Sequence, residues 1–210
     1  MAIVVVGAGG RAAGKTALVC GLLRALPGFQ FAAVKVTSHG HGEHMAIWED
    51  TGTFASSRPW TDTQRFLAAG ARRALLVTAS EEELGQRIAE LAARLGPQAH
   101  VIFESNRVGE ILAADLCLAI LSTAHDGAET LPKASFAPFL SRADALVAYG
   151  PENLMETDVS SAKQVFRLAE PGRVFPEMAE WVRAALRSSA ERPGRARHPT
   201  GTRPEARGPS

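Results

Sequence analysis

Gly9-Gly10-Arg11-Ala12-Ala13-Gly14-Lys15-Thr16 reads G-x-x-x-x-G-K-T, a Walker A spacing suited to gripping a chain of phosphates. Glycines let successive backbone N–H groups turn inward, and a helix starting near Gly14 adds its positive end. Lys15 reaches β- and γ-phosphates as a point charge, and Thr16 offers a hydroxyl to Mg2+. The expected nucleotide contacts are therefore Gly9 to Thr16 together with Ala17, the ligand being GTP or ATP with Mg2+. A dinucleotide-binding reading of Gly7-Ala8-Gly9-Gly10 with Ala12 fits less well, because Gly14-Lys15-Thr16 has no role in it.

Val101-Ile102-Phe103-Glu104 has the form of a Walker B strand, an apolar run closed by a carboxylate. Such a group holds Mg2+, directly or through water, or orients an attacking water. The plain alternative is a strand-end Glu facing solvent. Asp115 competes for the role but begins a strand instead of ending one. Lys15 and Glu104 are the expected catalytic pair; Thr16, Glu104 and Asp62 are the expected metal residues. Thr61 or Asp62 caps the short helix that follows, so for Asp62 a capping role is at least as good a reading. Lys35 ends a strand near the same edge and is either a neutraliser of substrate phosphate or a solvated lysine. His39, Glu43, His41 and His44 could bind Zn2+ or Ni2+, but the interleaved Gly40 and Gly42 favour a polar substrate-facing or solvated loop.

These residues need a scaffold. Ala2–Val6 is a strand-like apolar run, and 17–26 is apolar at helical spacing, so the loop joins a buried strand to a helix. Strands are expected at 31–36, 73–78, 99–103, 115–121, 144–149 and 164–168. Helices are expected at 62–69, from Ser80 to about Leu95, at 136–141 and from Pro176 to about Arg187. Ser80 with Glu83 forms a cap-box pattern. Thr37 to about Thr61 reads as one long irregular stretch, which makes it functional or mobile. Apolar strands alternating with helices imply an α/β fold. The expected architecture is the three-layer P-loop NTPase fold, with a mostly parallel central sheet and helices on both faces. Ligands on such sheets bind at the carboxyl ends of strands, which gathers Gly7 to Thr16, the segment after Val36, and Glu104 on one edge.

The chain of 210 residues is 46% hydrophobic with net charge +1, enough for one α/β domain and no reason to expect nucleic acid. No apolar stretch is long enough to span a membrane, and the N-terminal run lacks a basic lead-in, so a cytoplasmic protein is expected. Cys20 and Cys117 are expected as small buried thiols. Residues 1–188 form the expected nucleotide-binding domain. Residues 189–210, rich in Arg, Pro and Gly, form the expected disordered tail.

In order, the Gly9–Thr16 loop, Lys35-Val36-Thr37-Ser38-His39, Asp62-Thr63 with Ala68-Ala69-Gly70-Ala71, and Glu104 resemble the molybdopterin-guanine dinucleotide biosynthesis protein B family. The resemblance covers roughly the first half of the chain. It implies a small GTP-binding protein with slow Mg2+-dependent hydrolysis that partners a molybdopterin nucleotidyltransferase, with a homodimer among the assemblies it allows. Lys35 is followed by Val36 where the family has His, and Glu104 by Ser105 where it has Gly. The Asn-Lys-x-Asp guanine signature is missing after Val147, so guanine preference comes from the resemblance alone. The open alternatives are a small-molecule kinase on the same core and a metal-delivery adaptor using the histidine loop.

Overall fold

The structure is a computed structural model that describes residues 1–10, 12–38, 46–52, 60–122, 134–149 and 163–190. Arg11, the histidine loop (His39, His41, His44) and the expected tail from 191 onward lie outside the described residues. Eight strands form one sheet: β1 (Ile3–Ala8), β2 (Ala32–Thr37), β3 (Ile47–Glu49), β4 (Arg73–Thr78), β5 (Val101–Glu104), β6 (Leu116–Ser122), β7 (Ala145–Tyr149) and β8 (Gln164–Arg167). Their order is β3-β4-β2-β5-β1-β6-β7-β8, and every pairing is parallel except β3 with β4.

Helices cover both faces. The alternation within β1 sorts them: Val4 and Val6 pack with α1 (Lys15–Ala25), α2 (Asp62–Ala68) and α6 (Pro176–Ala190). Ile3 and Val5 face α3 (Leu84–Leu95), α4 (Val108–Ile111) and α5 (Phe136–Arg142). Because β1 is covered on both sides, its burial is unbroken, as a central parallel strand requires. The expected three-layer α/β architecture is therefore the observed one. Cys20 and Cys117 are buried thiols outside any disulfide among the described residues. Among the described residues no helix is long and apolar enough to cross a membrane.

Three local features differ from the reading of the sequence. The stretch 37–61 contains β3, an edge strand in which only Ile47 is buried; three residues are too few to show a period. The Ser80–Glu83 box closes as expected, each residue's backbone N–H donating to the other's side chain at 3.1 and 3.2 Å. It closes on a turn, however, and α3 begins only at Leu84. The one-turn helix α4 was not anticipated. Of the two candidate caps of α2 it is Thr61 that serves, with a reciprocal bond to Gln64; Asp62 is the first helical residue and its carboxylate pairs with Lys35 instead.

The strand order puts the carboxyl ends of β1, β5 and β2 side by side. In register, Glu104 faces Val6 on one side and Lys35 on the other. On the opposite flank, the turn after β8 rests on α1: a Cβ at Gly21 would stand 2.2 Å from the Gly172 carbonyl oxygen. Alanine is favoured over glycine inside a helix by about 1 kcal/mol, but forcing a backbone carbonyl aside costs about 1–3 kcal/mol. Gly21→Ala is therefore expected to lose the helix-propensity gain and to lower stability by up to about 2 kcal/mol, read from the urea midpoint at unchanged slope. A variant more stable than the parent by the full propensity gain of about 1 kcal/mol would mean that this turn is not seated on α1.

Candidate functional site

The loop between β1 and α1 is built to present N–H groups. Gly14 ends it at φ 84°, and Ala12 also lies in the left-handed region at φ 53°. Left-handed residues within a right-handed run turn successive amides toward one point and make an anion concavity. For Ala12 this conformation costs about 1–2 kcal/mol, strain of the kind that gathers at functional sites. Gly14 is needed twice over, since a Cβ there would also crowd Pro171 and Tyr149 at 3.2 Å. No side chain caps α1 and no acidic residue stands in its first turn, so its N-terminal donors and positive end remain for a ligand.

Lys15 Nζ donates to the Gly10 carbonyl at 3.2 Å, holding the ammonium over the loop. Thr16 Oγ1 donates to Glu104 Oε2 at 2.7 Å. Glu104 is 5% exposed, and its other oxygen lies 3.5 Å from Lys35 Nζ. Lys35 is also ion-paired with Asp62 Oδ2, whose second oxygen is 3.5 Å from Arg65. One ammonium thus bridges two carboxylates. Burial alone would pull the Lys35 titration down, but the charges of Glu104 and Asp62 outweigh it and hold it above the ordinary 10.5.

Of the expected metal residues, Thr16 and Glu104 touch, while Asp62 joins them only through Lys35. Among the described residues no three His, Cys, Asp or Glu side chains form a metal cluster. A hydroxyl and a carboxylate nonetheless suit Mg2+, which takes few protein ligands and keeps its waters. Asp115 is excluded from the site: its carboxylate accepts from Ile3 N–H at 2.8 Å, at the amino end of β1.

Asn106 and Arg107 belong to no motif that singles them out by residue type and spacing. Asn106 is buried, and its side-chain amide behaves as an extra strand residue. It accepts from Ala8 N–H at 2.8 Å, donates to the Ala8 carbonyl at 3.0 Å, and also reaches Ser135 Oγ at 3.3 Å. It therefore roots the loop where β5 has ended. The only sequence signal was an amide two residues beyond the acid.

These groups line one cavity of about 1050 Å3, which holds Ala12 to Ala17 at one side and Lys35 to Ser38, Asp62 and Arg107 at the other. Fold and site define the class, an α/β protein of the P-loop type. No protein-family model matches the chain, and no curated protein sequence does. Among solved structures, the "apo" form of LpxK from Aquifex aeolicus in complex with ATP aligns at 16% identity with a TM-score of 0.49. The match covers 80% of this chain and 53% of that one, so this chain spans about half its length.

Removing the bridging ammonium tests the arrangement. Lys35→Met leaves the buried Glu104 carboxylate without a counter-ion, and partial exposure of the pair discounts the usual cost; the expected loss is about 1–2 kcal/mol at pH 7. Since the folded state holds the Lys35 titration above 10.5, the parent's advantage should be complete below that pH and vanish as pH rises through the raised value. Parent and variant melting temperatures that coincide at pH 7 would contradict the bridge.

Proposed function

We propose that the chain binds a nucleoside triphosphate with Mg2+ at Gly9–Ala17 and transfers the γ-phosphoryl group to an acceptor on the β5/β2 side of the cavity. The observation that carries this reading is the contact between Thr16 and Glu104. Two residues far apart in sequence meet at 2.7 Å beside a loop of inward-turning amides. The loop amides and Lys15 hold the phosphates, and Thr16 and Glu104 hold the metal or its waters. Bound Mg2+ supplies charge neutralisation on the phosphate oxygens. In the transfer, an acceptor oxygen bonds to the γ-phosphorus and the bond to the β–γ bridging oxygen breaks. The nucleoside diphosphate leaves with the electron pair, and Asp62, the carboxylate on the acceptor side, takes the acceptor's proton. Positioning and charge stabilisation supply the rate.

Transfer is favoured over bare hydrolysis by the shape of the cavity. Its volume of about 1050 Å3 stands at the upper end of small-molecule sites, and it runs past the loop to Thr37, Ser38 and Arg107. A second reading keeps the same nucleotide site with water as acceptor: a GTP-binding accessory protein of molybdenum-cofactor guanylylation. It is supported by the resemblance described above, whose described segments around Lys15, Lys35, Asp62 and Glu104 all border this cavity.

Thermal shifts with ATP and GTP, each with and without Mg2+, test both. At ligand a hundredfold above Kd the parent should gain about 2.7 kcal/mol, and Lys15→Ala should gain essentially nothing. An equal shift in that variant, or no shift with either nucleotide in the parent, removes the assignment. Diphosphate release that requires an added alcohol supports transfer; release in buffer alone, fastest with GTP, supports the second reading.

A further inference from the structure

The two sides of the cavity differ in how their charges are balanced. On the far side, Lys35 has Asp62 and Glu104, and Arg65 has Asp62. Arg107 has neither. It follows β5, yet both of its terminal guanidinium nitrogens donate to the Ala79 carbonyl just beyond β4, at 3.2 Å each. Since β2 lies between β5 and β4, the side chain crosses the carboxyl end of β2, where Thr37 and Ser38 line the same cavity. It is half-buried, and among the described residues no carboxylate lies within ion-pair distance of it.

A guanidinium stays charged throughout the working pH range. Half-burying it against a neutral carbonyl fixes its direction without neutralising it, and that leaves a desolvation cost unmet. Its planar fork suits a two-oxygen anion better than a lysine would. The nucleotide's phosphates have their own cation in Lys15, at the loop.

We propose that Arg107 anchors an anionic group of the acceptor, so that the acceptor is an alcohol that already carries a phosphomonoester or a carboxylate. The anion docks on Arg107 over the end of β2, and the hydroxyl to be phosphorylated faces Asp62 and the γ-phosphate position. This rests on the phosphoryl-transfer reading above.

The test is a second-ligand titration. The full chain is first saturated with Mg2+ and a non-hydrolysable triphosphate (AMP-PNP, or GMP-PNP if that binds better), so that the loop is occupied. Glycerol 3-phosphate, glycerate and glycerol are then titrated by calorimetry. The expected result is measurable binding of glycerol 3-phosphate or glycerate, at least tenfold tighter than glycerol, weakened tenfold or more in Arg107→Ala. Arg107→Lys, which keeps the charge but not the fork, should fall between them, and guards against an Arg107→Ala protein that has lost its fold. Which anion binds tighter identifies the source of the charge. Equal binding of glycerol and the two anions, binding of the anions unaltered in both variants, or no binding of either anion to the saturated parent would overturn the proposal while leaving nucleotide binding intact. Failure of the triphosphate analogues themselves to bind would remove the underlying reading, and this one with it.

Discussion

The molecule is organised around a buried negative charge. Glu104 ends the strand between β1 and β2 and is almost wholly removed from solvent. A carboxylate in that position is costly unless it is paired and hydrogen-bonded. Thr16 satisfies it from the start of α1 and Lys35 from β2, so one side chain ties together α1, β5 and β2. Through Lys35 the tie extends to Asp62 at the first turn of α2. The site is therefore the place where four elements are electrostatically obliged to meet.

The loop above that charge is held by its surroundings more than by its own bonds. Asn106 continues the ladder beside Ala8 after β5 has ended. Gly7 lets the Phe139 ring and the Asn106 oxygen press against β1, since a Cβ there would lie 2.4 Å from one and 2.7 Å from the other. With its root fixed in this way, the chain can keep Ala12 in a left-handed conformation that it would otherwise leave. Rigid packing below the loop is what allows strain within it.

What was legible in the sequence follows from how local each signal is. The Gly9–Thr16 string is contiguous and its expected role is a backbone shape, so residue type and spacing are enough to point to it. The parallel strands were legible because burial on both faces leaves an unbroken apolar run, as in Ile3–Ala8. The α2 cap was legible because Thr61 and Gln64 interact across a single turn. The strand β3 was not: with one buried residue, it owes its existence to β4, a partner 26 or more residues away in register. The Lys35–Asp62–Glu104 network was equally hidden, since only strand order brings Lys35 beside Glu104. Asn106 and Arg107 act on Ala8 and Ala79 through contacts that no sequence spacing encodes.

Three carboxylates at strand ends differ in what they hold. Asp115 accepts from the backbone N–H of Ile3 at 2.8 Å, and Asp144 accepts from that of Cys117 at 2.7 Å. Both sit at the amino edge of the sheet, where they satisfy main-chain donors that open the parallel ladder. Exchanging either for another ligand would strand a backbone group. Glu104 lies at the carboxyl edge, and the partners described for it are a hydroxyl and an ammonium, both on side chains. Thr16 can turn its hydroxyl lone pairs toward a cation, and Lys35 can fall back on Asp62, to which it is already paired. Glu104 can therefore change partners without breaking a single main-chain bond, and that freedom, more than its charge, is why the proposed metal role is given to Glu104 and not to Asp115 or Asp144.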